Sequence, residues 1–247
     1  MITPVPCLKD NYAYIVTCDA TKQTAIVDPS EAAPVLDAVK RLGVKPSAIW
    51  NTHHHWDHVG GNEELCAALG ITDVYGHASD KGRIANQSKF VEENDTFALG
   101  DLAVRILHIP GHTTGAVAYV VAGSAKRDGT NGEVAEDAVF TGDTLFIAGC
   151  GRLFEGTPAM MFDSFEKLAA LRDGTRVYCG HEYTKANLVF ARHVEPDNAD
   201  VKDYASKLAV PSVPSTIGLE KRINPFVRAR TVEEFASRRS AKDDFKG

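Results

Sequence analysis

Between Thr52 and His58 the chain places four side chains of metal-binding type, His53, His55, Asp57 and His58, in a Thr-His-His-His-Trp-Asp-His run. In an extended loop the side chains at i and i+2 point the same way, so His53 and His55 can grip one ion together. Asp57 and His58, on the next turn of the chain, can be aimed at a second. Three more candidates stand at glycine-containing exits from expected strands: His112 in Pro110-Gly111-His112, Asp143 in Gly142-Asp143 and His181 in Gly180-His181. Seven donors exceed the four that a tetrahedral ion takes, so the set points to two ions, one position being left open for water in a catalytic site. Asp143 is a carboxylate and can bridge both ions, as a neutral imidazole cannot. With no thiolate among them the donors suit zinc, iron or manganese rather than a cysteine-based structural zinc. His54, His77, His108 and His193 lack such a setting and are expected to bind no metal.

The elements that must hold these residues alternate between the two structural periods. Tyr12–Thr17 and Gln23–Asp28 read as strands. Ser30 is a fitting N-cap for a helix over Glu31–Leu42, which keeps Val35, Leu36, Val39 and Leu42 on one face and stops at Gly43. Ala48–Trp50 is a buried strand leading into the histidine loop, and Asn62–Leu69 a short helix stopped by Gly70. Val74–Gly76, Leu102–Leu107, Ala116–Ala122, Ala138–Thr141 and Arg176–Cys179 read as strands, and Ala159–Leu171 as a helix. Ala78–Asn94 is polar and carries no clear period, while Gly123–Asp137, rich in Gly, Asp and Asn, reads as an exposed loop. Four expected strands thus end within a few positions of a donor: Trp50, Leu107, Thr141 and Cys179. Loops at one edge of a rigid sheet are where sites are built. From Tyr183 onward no strand is expected, and helices are expected near Thr184–His193, Ala199–Leu208 and Val232–Ser240.

A chain of 247 residues with 44% hydrophobic and 24% charged residues can bury a substantial core. The net charge of −6 argues against nucleic acid as the main partner. The stretch Lys221–Gly247 holds eight Lys/Arg against four Asp/Glu, so it carries +4 and the remainder −10, which suits an anionic small ligand. Cys7, Cys18, Cys66, Cys150 and Cys179 form no CxxC pair and read as reduced thiols of a cytoplasmic protein. No signal peptide and no membrane span is expected. A monomer is expected, since no heptad pattern or exposed apolar helix is evident.

Thr52–His58, with Pro110–Thr113, Gly142–Thr144 and Gly180–Thr184, resembles the HxHxDH and later motifs of the metallo-β-lactamase superfamily. Asp10-Asn11-Tyr12, Ala148–Arg152, Ile223–Phe226 and the terminal Arg239–Phe245 are similar to the glyoxalase II family within it. The resemblance implies an α/β fold: an αβ/βα sandwich catalytic domain over residues 1–182, followed by a small helical, glutathione-binding domain over 183–247. It implies two divalent ions, zinc first: one on His53, His55 and His112, the other on Asp57, His58 and His181, with Asp143 bridging. The implied activity is hydrolysis of the thioester S-D-lactoylglutathione to D-lactate and glutathione by a hydroxide between the ions, the second step of methylglyoxal detoxification. Asp57, which orients the nucleophile, and Asp143 are the implied catalytic carboxylates. Arg152, Tyr183, Arg239 and Lys242 are the implied glutathione contacts. Phe154 stands where the family can carry a tyrosine that touches glutathione. A persulfide dioxygenase of the same superfamily, with one iron, is the alternative; it is expected to use fewer ligands and to lack the helical tail.

Overall fold

The computed structural model describes residues 1–122 and 136–246. Residues 123–135 of the expected loop lie outside the described residues, and its last two positions already belong to a strand.

Two six-stranded sheets face each other. The first runs in order β1 (Ile2–Cys7), β2 (Asn11–Thr17), β3 (Thr24–Val27), β4 (Pro46–Trp50), β5 (Asp73–His77) and β6 (Lys89–Val91). Its first three strands are antiparallel and the rest parallel. The second sheet contains the meander β7 (Thr96–Leu99), β8 (Leu102–His108), β9 (Val117–Ala122) and β10 (Glu136–Gly142). A two-strand hairpin, β11 (Leu145–Phe146) with β12 (Gly149–Cys150), follows. The second sheet is completed by β13 (Arg176–Cys179), parallel to β10, and β14 (Ser215–Thr216) at its edge. The helices are α1 (Ala32–Leu42), α2 (Trp56–Val59), α3 (Asn62–Leu69), α4 (Pro158–Ala169), α5 (Thr184–Val194), α6 (Ala199–Ser206), α7 (Ile217–Ile223) and α8 (Val232–Asp244).

Every residue of β2 and of β9 is buried, because each strand serves two cores. Tyr12, Tyr14 and Val16 point between the sheets while Ala13 and Ile15 point outward to α1 and α3. In β9, Val117, Tyr119 and Val121 face the first sheet, and Ala118 and Val120 face the Met161 and Phe165 side of α4. The period of two is therefore intact, and both of its faces are apolar, as expected of strands in the middle of a helix–sheet–sheet–helix stack.

Two expectations are corrected, and one stretch without a clear period is filled in. Glu31, not Ser30, caps α1, without a side-chain bond to the helix; its carboxylate instead accepts from the Leu8 amide. The polar stretch 78–94 holds the strand β6 and a single 3-10 turn, Ala78–Asp80. The segment after Tyr183 does contribute a strand, β14, and α7 was also unforeseen. That segment shares both cores with the sandwich: Leu188, Val201 and Ile223 reach the space between the sheets, and Phe190, Phe226 and Phe235 pack with Phe165 outside it. Buried Glu220 fastens it further, accepting from Ser215 Oγ, the Ala148 amide and Asn224 Nδ2. Burial pushes its carboxyl up to about 7 against those three donors. Among the described residues no helix is long and apolar enough to cross a membrane.

The two sheets are joined where their strands end. Tyr12 N donates to Gly180 O and Glu182 N to Asp10 O, so the start of β2 pairs with the chain leaving β13. Val117 N donates to Thr52 O across the same gap. Tyr14 of the first sheet donates its hydroxyl to Cys179 O, and Tyr119 of the second donates to Asn51 O. These buried phenols satisfy their polar ends on the carbonyls at the base of the site loops.

Candidate metal centre and substrate cleft

The chain leaving β4 carries His53 and His55, then enters the one-turn helix α2, which presents Asp57 and His58. The exits of β8, β10 and β13 bring His112, Asp143 and His181 to the same edge. All seven sequence-predicted donors meet there. His53 Nε2 lies 3.1 Å from His55 Nδ1, and His112 Nε2 lies 3.0 Å from the same atom. Asp57, His58 and His181 form a second group with donor atoms within 4.8 Å of one another. Asp143 stands between the groups: Oδ1 is 3.3 Å from His58 Nε2, and Oδ2 is 3.3 Å from His181 Nε2 and 3.6 Å from His112 Nε2. Gly180 makes this approach possible, since a Cβ there would come within 2.3 Å of Asp143 Oδ1 and 2.6 Å of His58 Cε1.

The second nitrogen of four imidazoles is already engaged. Nδ1 of His58 is 3.2 Å from Asp28 Oδ2, that of His181 is 2.9 Å from Asp10 Oδ1, and that of His112 is 2.9 Å from Arg152 O. Nδ1 of His53 is 3.1 Å from Thr52 Oγ1, whose own proton goes to Asp28. With Nδ1 engaged, Nε2 is the ring atom that each of these residues turns to the centre. Asn11 donates to both the backbone and the carboxylate of Asp57. Asp10, Asn11 and Asp28 were not singled out as site residues by sequence; a lone Asp or Asn at a strand end has no spacing to mark it.

The donor chemistry fits a cation. Burial holds His53, His55 and His112 below the usual imidazole range, so three neutral rings converge, each able to offer a lone pair to a cation. In the other group burial opposes charge on His181, yet Asp143 and Asp57 outweigh it and push the imidazole up to about 10. Burial acts against the Asp57 carboxylate, but His181, His58 and Asn11 prevail and bring it down to about 2. His58 Nε2 and Asp143 Oδ1 are buried without a hydrogen-bond partner among the described residues. A divalent ion can take the place of the protons that the neighbouring carboxylates draw onto His58 and His181. His54, His77, His108 and His193 lie outside the donor groups found among the described residues.

A cleft of about 620 Å³ opens from these donors. Trp56 and Phe154, 70% and 62% exposed, stand at its rim, Phe154 with its ring edge-on to His55 and His112. Its lining also carries Tyr183, Arg152, Arg239 and Lys242. Tyr183 stacks on the His181 ring at 4.7 Å and 6°. Lys242 Nζ lies over the rings of Phe190 and Phe245, and desolvation lowers its pKa to about 8. Arg239 is buried: Nη1 donates to Cys150 O at 2.6 Å and Nη2 to Asp243 at 3.0 Å. The cationic surplus of the tail is largely consumed within the protein. Lys221 pairs with Asp173, Arg222 with Asp200, Arg228 and Arg238 with Glu195, and Arg152 stands 3.7 Å from Asp243.

Residues 9–124 match the model of the metallo-β-lactamase superfamily, and residues 182–245 match that of the hydroxyacylglutathione hydrolase C-terminus. A hydroxyacylglutathione hydrolase of Cyanothece sp. is 44% identical over 233 residues, covering 92% of this chain and 88% of its own. The chain belongs to the hydroxyacylglutathione hydrolase family. Like other members of that family it is a metal-dependent hydrolase, with the fold that the motifs implied. Among solved structures, ETHE1 from Myxococcus xanthus superposes with a TM-score of 0.71 at 24% identity, covering 100% of this chain and 92% of that one. That is a likeness of fold. The di-iron-bound form of TTHA1623 superposes with a TM-score of 0.59 at 27% identity, covering 92% of this chain and 99% of that one.

Proposed function

We propose that this cleft hydrolyses S-D-lactoylglutathione to D-lactate and glutathione, with two divalent ions held at its floor. The observation that carries the reading is the convergence of two donor groups about Asp143, at the mouth of a cleft walled by Tyr183 and Lys242. His53, His55 and His112 would hold one ion, and Asp57, His58 and His181 the other, with Asp143 shared. Zinc is our first assignment, iron or manganese being chemically acceptable to the same ligands. The di-iron form of TTHA1623 supports a two-ion centre. Bound there, the ions supply a Lewis acid and lower the pKa of water enough for a nucleophile at neutral pH.

The chain's own residues do the rest. Asp10, Asp28, Thr52 and the Arg152 carbonyl fix the imidazole rings. Asp57, held by Asn11, and Asp143 are the carboxylates placed to orient the attacking water. Arg152, Tyr183 and Lys242 receive the glutathione part, whose two carboxylates suit guanidinium and ammonium groups. Arg239 supports that wall from beneath through the Cys150 carbonyl. A thiolate leaves readily, so no dedicated general acid is needed. We read residues 1–182 as the catalytic part and 183–247 as the glutathione-binding part of a cytoplasmic monomer.

The test is loss of thioester absorbance with S-D-lactoylglutathione, beside metal analysis and oxygen uptake with glutathione persulfide. Turnover of the thioester at two ions per chain is expected. Oxygen uptake with one iron, and no thioester loss, overturns the reading in favour of the dioxygenase.

A further inference from the structure

The three loops that carry His55, His112 and Phe154 are tied together from behind by side chains that lie outside the cleft lining. Asp80, at the end of the 3-10 turn, is fully buried. Its Oδ1 lies 3.2 Å from Nδ1 of His54, the residue between the donors His53 and His55. The same oxygen lies 3.4 Å from Arg83 Nη1. Its carboxylate also packs on the backbone of Gly115, where an added Cβ would come within 2.5 Å of Oδ2. Arg83 in turn donates to Glu155 and reaches His54 Nε2. Glu155 accepts from both the amide and the hydroxyl of Thr114, two residues beyond His112. The amide of neighbouring Phe154 closes the circuit by donating to His112 O at 3.2 Å.

This arrangement is one-sided. The Asp57, His58 and His181 group has its supports in Asn11, Asp28 and Asp10, of which Asp28 also reaches His53 through Thr52. The Asp80 cluster meets His54, between His53 and His55, and Thr114, two residues beyond His112, while Asp57 and His58 further along the first loop are held by Asn11 and Asp28. A carboxylate taken wholly out of water is costly to keep, and losing its cationic partner Arg83 is costlier still. Such a cluster ties its loops together because Arg83 and Glu155 join His54, Asp80 and Thr114 in one connected set.

We propose that Asp80 and Arg83 are positioning residues for the His53, His55 and His112 triad, setting through His54 and Glu155 the affinity of that one metal position. The proposal rests on the ligand assignment of the preceding section. Partners behind metal-binding side chains are worth about 10- to 100-fold in metal affinity. Its test is an equilibrium titration of the metal-free protein with Zn²⁺ against a competing chromophoric chelator, which resolves two dissociation constants. Asp80→Asn and Arg83→Met should each raise one constant by about 10-fold or more and leave the other within about twofold. Arg83→Met is the safer variant, since its side chain is 40% exposed. Placed on His181→Ala, which cripples the other position, Arg83→Met should still weaken the remaining ion. Placed on His55→Ala it should not. The proposal is overturned if both constants move together, if neither moves, or if the effect persists on His55→Ala. A parent protein that binds fewer than two ions would overturn the two-ion reading instead, so the two failures are distinct.

Discussion

At the donor edge of the cleft every imidazole depends on a neighbour. Four have their second nitrogen bound, Asp143 reaches three of them, and all but His55 and Asp57 among the seven are buried. Along the rest of the wall the side chains stand more separately. Arg152 and Tyr183 are exposed, Lys242 rests on two aromatic rings with its Nζ 3.4 Å from the Ala186 carbonyl, and Arg239 is buried against the Cys150 carbonyl. A cooperative edge should fail as a unit when one member is removed, whereas a wall of separate contacts should lose affinity piece by piece.

The largest effect should come from the edge. His55→Ala should lower kcat/KM by more than the about 100-fold typical of losing a ligand's outer partner, together with metal content. Unchanged turnover would remove this edge from the chemistry. The next tests whether wall and edge share one fold. Phe235 of α8 is fully buried and packs its ring on Phe162 and Phe165 of α4. Phe235→Ala should cost about 3–5 kcal/mol in a single urea transition. Two separated transitions would show that the tail folds apart from the sandwich.

Smaller effects belong to the wall. Lys242→Ala should raise KM about tenfold with kcat kept, as loss of one charge-assisted contact made equally in ground and transition states. Its pKa is lowered, so the charged form that binds carboxylate persists below about pH 8 and is lost above it. The parent's kcat/KM should therefore fall above about pH 8, and a limb that survives in Lys242→Ala assigns it to another group. Arg239→Ala, by contrast, should lower kcat and stability as well, because it frees the Cys150 carbonyl. An effect on KM alone would return Arg239 to the wall of separate contacts. Phe154→Tyr, which adds a hydroxyl at the rim, should lower KM by about threefold; a rise would place the glutathione elsewhere.

The same contrast explains what could be read in advance. The donors were legible because their residue types recur at strand exits and within one short loop, where spacing alone restricts geometry. Their supports were not, because Asp10, Asp28 and Asp80 are single acids whose meaning depends on residues tens of positions away. β1 escaped notice because Pro4 and Pro6 interrupt it, which an edge strand tolerates. β6 is three residues long and mostly exposed, so it carries no readable alternation. The tail's charge was legible as a sum and misleading as a surface, since Asp173, Glu195 and Asp200 neutralise much of it. Helices α3 and α5 fell close to their expected bounds because their apolar faces and stop signals are local.

The bonds from Tyr12 to Gly180, Glu182 to Asp10 and Val117 to Thr52 make the sandwich resemble a book bound along one edge. Pages part first where nothing is sewn, and a folded chain opens first where few buried bonds must break. The margins far from this spine, β6 at one end of its sheet and β7 at one end of the other, should therefore exchange their amide protons soonest. The amides of Tyr12, Val117 and Glu182 should exchange last. Fraying of the outer leaves then leaves the seven donors in place, so the working edge outlasts the margins as the protein loosens.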